Sequence, residues 1–214
     1  MRLRNIPGAR EQLEESIHVY TEDELMKGRW KSEVFERQAP LHIEIGSGKG
    51  RFITTLAANN PDINYLGIEK YSSVLLKIMR KQDENAVDNL KLIRMDATDI
   101  NEAFEKDEVD KIYLNFSDPW PKDRHAKRRL TSDRFLARYE KILKKGSQLE
   151  FKTDNRDLFD FSVESIKEAG WRLDYVTYDL YSDEEMLKDN IPTEYELRFT
   201  KQGNKINKLI ATYV

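Results

Sequence analysis

The chain has 214 residues, with 36 Lys+Arg against 39 Asp+Glu and a formal net charge of −3. That length suits one domain with a terminal extension, and the near-neutral balance excludes a broadly cationic nucleic-acid binder, so a polyanion has to be met by a local patch. The chain lacks cysteine, which excludes disulfides and thiolate metal sites, and its three histidines, His18, His42 and His125, lack metal-ligand spacing, so no metal is expected.

Residues 1–40 are expected to form an N-terminal extension, basic at the start with Arg2, Arg4 and Arg10, ahead of a single domain over 41–214. "PGAREQLEESIHVY" predicts a turn at Pro7-Gly8 and a short helix. From residue 41 the pattern is regular. "LHIEIG" predicts a strand, "KGRFITTLAANN" a helix ending before Pro61, "INYLGIE" a strand, "SVLLKIMRKQDEN" a helix, and "LKLIRM" and "DKIYLNFS" two further strands. "SDRFLARYEKILKKG" predicts a helix with Ser132 as cap and Gly146 as stop. "SQLEFKT" predicts a fifth strand, and "NRDLFDFSVESIKEAG" a helix closed by Gly170. "WRLDYVTYDLY" and "TEYELRFTKQG" predict the last two strands, paired as an antiparallel hairpin across a polar loop. The alternation implies an α/β fold: a mostly parallel seven-stranded sheet with helices on both faces. No stretch approaches a membrane span, and the cytoplasm is the expected compartment.

In such a sheet, ligands bind outside the carboxyl ends of the strands, so a residue just after a strand is a site candidate. "EIGSGKG" places Gly46, Gly48 and Gly50 between the first of these strands and its helix, where glycine permits a tight turn and a close backbone approach to a ligand. The spacing is G-x-G-x-G with Arg51 following, which fits neither the dinucleotide fingerprint nor a P-loop; taken alone, the loop could be a structural turn. Glu44 lies inside the strand pattern, where a carboxylate needs a cation or a donor. Glu69 ends the second strand, about twenty residues past the loop, where an acid accepts from ribose hydroxyls. Asp96 follows the third strand. This acidic lining suits a cofactor with ribose, adenine and a cationic head but no phosphate. S-adenosylmethionine is such a molecule.

"NFSDPWPKDRHAKRRL" then places Asp118 after the fourth strand, with Pro119 and Pro121 stiffening the chain around Trp120. Trp120 is either an exposed aromatic or a residue packed under the loop. Lys122, Arg124, His125, Lys127, Arg128 and Arg129 form a cationic run that is either a solvated face or a phosphate-binding patch. "FKTDN" gives Thr153 and Asp154, with Asp154 either a base-reading acid or a helix cap. "PTEYELRF" gives Thr193, Glu194, Tyr195 and Glu196.

Taken in order, "EIGSGKG", "GIEKY", "MDATD", "DPWPKDRHAKRR", "FKTDN" and "TEYELRF" resemble the bacterial tRNA (guanine-N7-)-methyltransferases, over nearly the whole chain. "DPWPK" with the basic run is the specific element; the glycine loop alone would indicate only a class I methyltransferase. The resemblance implies a Rossmann-like fold and methyl transfer from S-adenosylmethionine to N7 of guanosine 46 in the tRNA variable loop. It implies that Glu44, Gly46, Gly48, Gly50, Glu69, Asp96, Ala97 and Asp118 bind the cofactor, with Asp118 also catalytic. It further implies substrate contacts at Lys122, Asp154, Thr193, Glu194, Tyr195 and Glu196, and an RNA-contacting loop at Arg124, His125, Ala126, Lys127, Arg128 and Arg129. The expected partner is tRNA, with neither a membrane nor an obligate protein partner. Asp123 is a departure, standing where the family often has another Lys. Two rivals remain open at this point: methylation of an exocyclic amine, and a non-catalytic RNA-binding protein on a relic fold.

Overall fold

The computed structural model describes residues 6–84 and 87–214, and the backbone divides into two units, 1–105 and 106–214. Arg2, Arg4 and Asn85 lie outside the described residues.

The first unit runs α1 (Ala9–Glu14), β1 (Val19–Thr21), β2 (Leu41–Ile45), α2 (Arg51–Asn59), β3 (Asn64–Glu69), α3 (Ser72–Glu84), β4 (Leu90–Arg94) and α4 (Ile100–Ala103). Its strands lie in the order β1-β4-β3-β2, all parallel. Every residue of β3 is buried, as expected of a strand covered on both faces. The strand β1 is only three residues long, too short to register as a period-2 run, and it was not anticipated. Trp30 fastens the N-terminal region to this unit: it is fully buried, and its indole N–H donates to the Ala103 carbonyl at 2.7 Å.

Parallel pairing puts Glu44 opposite Gly67 and brings the turn after β2 down onto β3. A Cβ at Gly67 would lie 3.1 Å from both Ser47 Oγ and Leu92 Cδ2, so the missing side chain is what lets the turn settle there. Gly50, at φ +83°, starts α2, and a Cβ there would stand 2.7 Å from Ile78 of α3.

The second unit runs β5 (Val109–Asn115), α5 (Asp133–Tyr139), β6 (Leu143–Thr153), α6 (Arg156–Glu168), β7 (Arg172–Thr177), α7 (Glu184–Lys188), α8 (Glu194–Thr200) and β8 (Asn207–Thr212). Its strands lie in the order β5-β6-β8-β7; β5 and β6 are parallel, while β8 runs antiparallel to both neighbours.

Three expectations change here. The helix expected to run to Gly146 stops at Tyr139, and Leu143 already opens β6. Gly146 stands within that strand at φ +88°, where its N–H donates to the Tyr213 carbonyl. Ser132 occupies the N-cap position of α5, but its hydroxyl donates to the Lys127 carbonyl and does not cap. "TEYELRFTKQG" is not a strand: residues 194–200 form α8. Tyr195, Leu197 and Phe199 alternate as in a strand, yet Thr193 and Glu196 close a capping box, and that local chemistry prevails. The antiparallel partner of β7 is therefore Asn207–Thr212, and the described residues contain eight strands where seven were expected.

The Gly50 contact yields an expected outcome. Gly50→Ala should lose about 2–4 kcal/mol of stability, the sum of a left-handed backbone penalty and overpacking. Urea unfolding checks this, and relief of the loss in Gly50→Ala/Ile78→Ala would identify the clash.

Candidate active site

The glycine turn of the first unit is held by the end of β3. The N–H groups of Gly46 and Ser47 both donate to the Ile68 carbonyl, at 2.8 and 3.1 Å. The next acid, Glu69, is buried at 8% exposure and has a backbone donor on each oxygen: Gly48 N at 3.1 Å and Tyr71 N at 3.0 Å. A carboxylate oxygen has two lone pairs, so each retains acceptor capacity beyond these bonds. Gly46, Gly48 and Gly50 all have positive φ. A Cβ at Gly46 would meet no atom within 4 Å, and one at Gly48 only the Gly46 carbonyl at 3.9 Å. The turn thus presents bare backbone to open space beside an oriented acid. That combination fits an adenosyl cofactor, with hydroxyls accepted by Glu69 and the backbone approached closely.

Two further acids belong to this unit. Glu44, in mid-β2, is 1% exposed and lies beneath the turn, where the Ser47 hydroxyl donates to its backbone carbonyl. Asp96 follows β4 and caps the short turn Ala97–Asp99, accepting from Thr98 N and Thr98 Oγ1 at 2.9 Å and from Lys70 Nζ at 2.5 Å. Burial pushes the Asp96 carboxyl up, but the bonds from Lys70 and Thr98 more than offset this, and it sits below its ordinary value. It is therefore ionised throughout the neutral range. Lys70 was not singled out from the sequence; its position beside Glu69, at the end of a strand neighbouring that of Asp96, was the available signal.

In the second unit, Asp118 leaves β5 as an exposed residue on a stiff loop. Phe116 and Trp120, on either side, both hold positive φ, at 53° and 43°. Arg129 fixes that shape. Its guanidinium donates to the Pro119 and Trp120 carbonyls at 3.1 Å each and lies 4.3 Å over the Phe161 ring. Trp120 is half-buried, with Arg128 stacked 4.9 Å from its ring centroid and His125 edge-on at 5.7 Å. Lys122, Arg124, Lys127 and Arg128 are exposed, whereas His125, Ala126 and Arg129 are partly covered in the 3-10 turn Asp123–Arg128. The run is thus divided: Arg129 builds the loop, and Arg124 and Lys127 face solvent.

The remaining candidates gather around the N-terminus of α8. Tyr195 stacks on Phe199 at 4.0 Å and meets Phe116 at 5.0 Å, which joins α8 to the loop that carries Asp118. Burial, with the charge of Asp154 next, raises the Tyr195 hydroxyl above its ordinary value. Asp154 accepts from Asn204 Nδ2 at 3.1 Å, and it is Asn155 that caps α6, so the capping alternative for Asp154 falls away. Thr193 caps α8, Glu194 is partly exposed, and Glu196 is fully buried. The carboxylate of Glu196 accepts from Lys152, Tyr181, Asn190 and Thr193 N, so it shapes the segment from inside and presents no oxygen at the surface. Lys152 does not stand out by motif; its signal in the sequence is that of Glu44, a lone charge inside the buried strand pattern "LEFKT".

A family described as "Putative methyltransferase" matches residues 38–209 of this chain. A tRNA (guanine-N(7)-)-methyltransferase of Lachnoclostridium phytofermentans is 57% identical over 211 residues, spanning 99% of this chain and 98% of that protein. Among solved structures, an antibiotic-related methyltransferase superposes with a TM-score of 0.65 at 22% identity, covering 86% of this chain and 92% of that one. The 16S rRNA methyltransferase KamB superposes with a TM-score of 0.67 at 15% identity, covering 89% and 94%. These two likenesses establish the Rossmann-like class I methyltransferase fold. Among the described residues, no helix is long and apolar enough to cross a membrane.

The division of the basic run has a measurable consequence. Arg129→Ala should lose about 1–3 kcal/mol of stability through its charged hydrogen bonds, whereas Arg124→Ala should stay within about 0.5 kcal/mol of the parent. Urea unfolding of both variants tests the distinction.

Proposed function

From the premise that the chain belongs to the tRNA (guanine-N7-)-methyltransferase family, we propose that it transfers the methyl group of S-adenosylmethionine to N7 of guanosine 46 in the tRNA variable loop. Family membership gives the reaction class. The observation that carries the cofactor half is Glu69, held by the Gly48 and Tyr71 amides beside a turn of bare glycine backbone. We assign Glu44, Gly46, Gly48, Gly50, Glu69, Asp96 and Ala97 to cofactor binding, and Asp118 to both cofactor and catalysis. Lys122, Asp154 and Thr193–Tyr195 contact the substrate nucleoside, with Glu196 holding that segment from beneath. Arg124–Arg128 meet the RNA backbone on a loop built by Arg129. Residues 1–40 serve as an extension to the methyltransferase domain over 41–214. With tRNA as the substrate, the compartment we infer for this work is the cytoplasm.

When bound, S-adenosylmethionine supplies a methyl group already activated on sulfonium. Guanine N7 carries a lone pair and no proton, so no side chain has to remove one. The protein's task is alignment and charge management. As N7 is alkylated, positive charge develops on the imidazole ring of the base, and a carboxylate held in place beforehand stabilises it without reorganising. Asp118 suits that role, because Pro119, Pro121 and the Arg129 clamp fix its loop. Asp154, which directly follows β6, suits the guanine N1–H and N2–H₂ donors, which only an acceptor can meet. The exposed Lys122, Arg124 and Lys127 supply attraction to phosphate.

Incubation of the protein with unmodified tRNA and methyl-labelled S-adenosylmethionine, followed by cleavage at N7-methylguanosine, should locate one modification at position 46. Label in another position, or on an exocyclic amine, would refute the assignment. Asp118→Asn should lower kcat about a hundredfold, the scale of removing one preorganised electrostatic partner. The wild-type pH–rate profile should show no step attributable to a base that titrates near neutrality.

A further inference from the structure

Helix α8 carries the substrate segment, yet its only buried residue is Glu196, a carboxylate. A seven-residue helix with no fully buried apolar residue, whose Tyr195 ring meets Phe116 while remaining exposed, needs a further anchor to stay docked in one place. Its sequence also alternates in a strand-like manner. What fastens it is the side chain of Lys152 on β6, which is fully buried. The Lys152 ammonium donates to Glu196 Oε2 at 2.8 Å, Asn190 Oδ1 at 2.9 Å and the Ile191 carbonyl at 3.0 Å. An ammonium has three donors, and these three acceptors match them in number. Glu196 returns the connection: Oε1 accepts from Asn190 Nδ2 at 2.7 Å and Tyr181 OH at 3.1 Å, and Oε2 accepts from Thr193 N at 3.4 Å. Burial pushes the Lys152 amine down, and Glu196 opposes that by favouring the charged form. Burial, with the nearby Glu196 charge, pushes the Tyr181 hydroxyl up to about 12.

We propose that Lys152 is a positioning residue for the tRNA substrate. Its ammonium sets the turn Asn190–Thr193 and the start of α8, so that Thr193, Glu194 and Tyr195 face the nucleoside. The inference rests on the substrate assignment proposed above. Lys152 also stands two residues before Asp154 on the same chain segment, so one strand end supplies both a substrate acid and the anchor for the segment facing it. A buried ion pair is a weak source of net stability, because desolvation offsets most of its attraction. Its value here is specificity of conformation: a helix start held at one place by charge, beside a Tyr195–Phe116 contact that stays partly exposed.

The test compares wild type, Lys152→Met, Asn190→Ala and Tyr181→Phe, each shown to be folded by circular dichroism. S-adenosylmethionine affinity is read by calorimetry, tRNA KM and kcat with labelled cofactor, and backbone order by hydrogen exchange. Lys152→Met should raise the tRNA KM about tenfold or more, the equivalent of about 1.4 kcal/mol of lost substrate binding. Cofactor affinity should stay within about twofold. Exchange should quicken across residues 190–200 while the β5 and β6 amides stay protected. Asn190→Ala and Tyr181→Phe keep the ion pair and should move KM the same way by about two- to fivefold. A folded Lys152→Met with unchanged tRNA KM, or with cofactor affinity falling in parallel, overturns the proposal. If Lys152→Met does not fold, unchanged KM in the two milder variants overturns it. Wild-type protein that leaves guanine N7 unmodified overturns the substrate assignment itself, and this inference with it; wild-type activity with unmoved variant KM values overturns this inference alone.

Discussion

A carboxylate taken out of water is tolerable only where donors or cations meet it. That constraint organises both units of this chain. Glu69 is answered by two backbone amides, and Asp96 by Lys70 and Thr98. Glu150, on β6, is answered by Lys111 at 3.2 Å and Lys208 at 2.8 Å; burial pushes its carboxyl up, yet those lysines hold it below the ordinary value. Glu196 is answered by Lys152. For Glu69, Asp96 and Glu196 an answering group also belongs to, or binds, a piece of backbone. Meeting the charge and shaping the site are thereby one operation: the Gly48 amide that satisfies Glu69 belongs to the glycine turn, and the Lys152 ammonium that satisfies Glu196 holds the turn before α8.

Much of the first unit was legible in the sequence, because its strands and helices are local and regular. The positions of Gly46, Gly48 and Gly50 could be read from their place between a strand and a helix, and Glu69 and Asp96 from their place at strand ends. The specific partners could not. Nothing in "LGIEK" says that Lys70 will cross to Asp96, and the contact between Gly50 and Ile78 depends on how α3 packs. β1 escaped notice because three residues give periodicity nothing to work with.

The second unit was harder, for two identifiable reasons. Around residue 140 an apolar run, Ile142 and Leu143, fits either period, and the glycine at 146 looked like a helix stop although it accommodates a left-handed step inside a strand. At residue 193 the local cues conflicted: the alternation of Tyr195, Leu197 and Phe199 argued for a strand, while Thr193 followed three positions on by Glu196 argued for a helix start. Giving the capping box more weight would have found α8, and with it the role of Glu196. The sequence shows the basic run but not its division. Charge alone could not reveal that Arg129 turns inward to bind carbonyls while its neighbours remain in solvent.

That inward turn also bears on how salt would act on RNA capture. Ionic-strength dependence counts the phosphate counterions displaced, by roughly 0.7 to 0.9 logarithmic units per neutralised phosphate. A guanidinium already occupied by two carbonyls and an aromatic face has little left to offer a phosphate, and Arg128 is shared with the indole of Trp120. Under the RNA assignment proposed above, counting cations along "KDRHAKRR" would therefore overstate the number of ions set free on docking. The loop gives up part of its electrostatic reach for a fixed contour, so the salt dependence expected of the RNA contact proposed above is shallower than its sequence suggests.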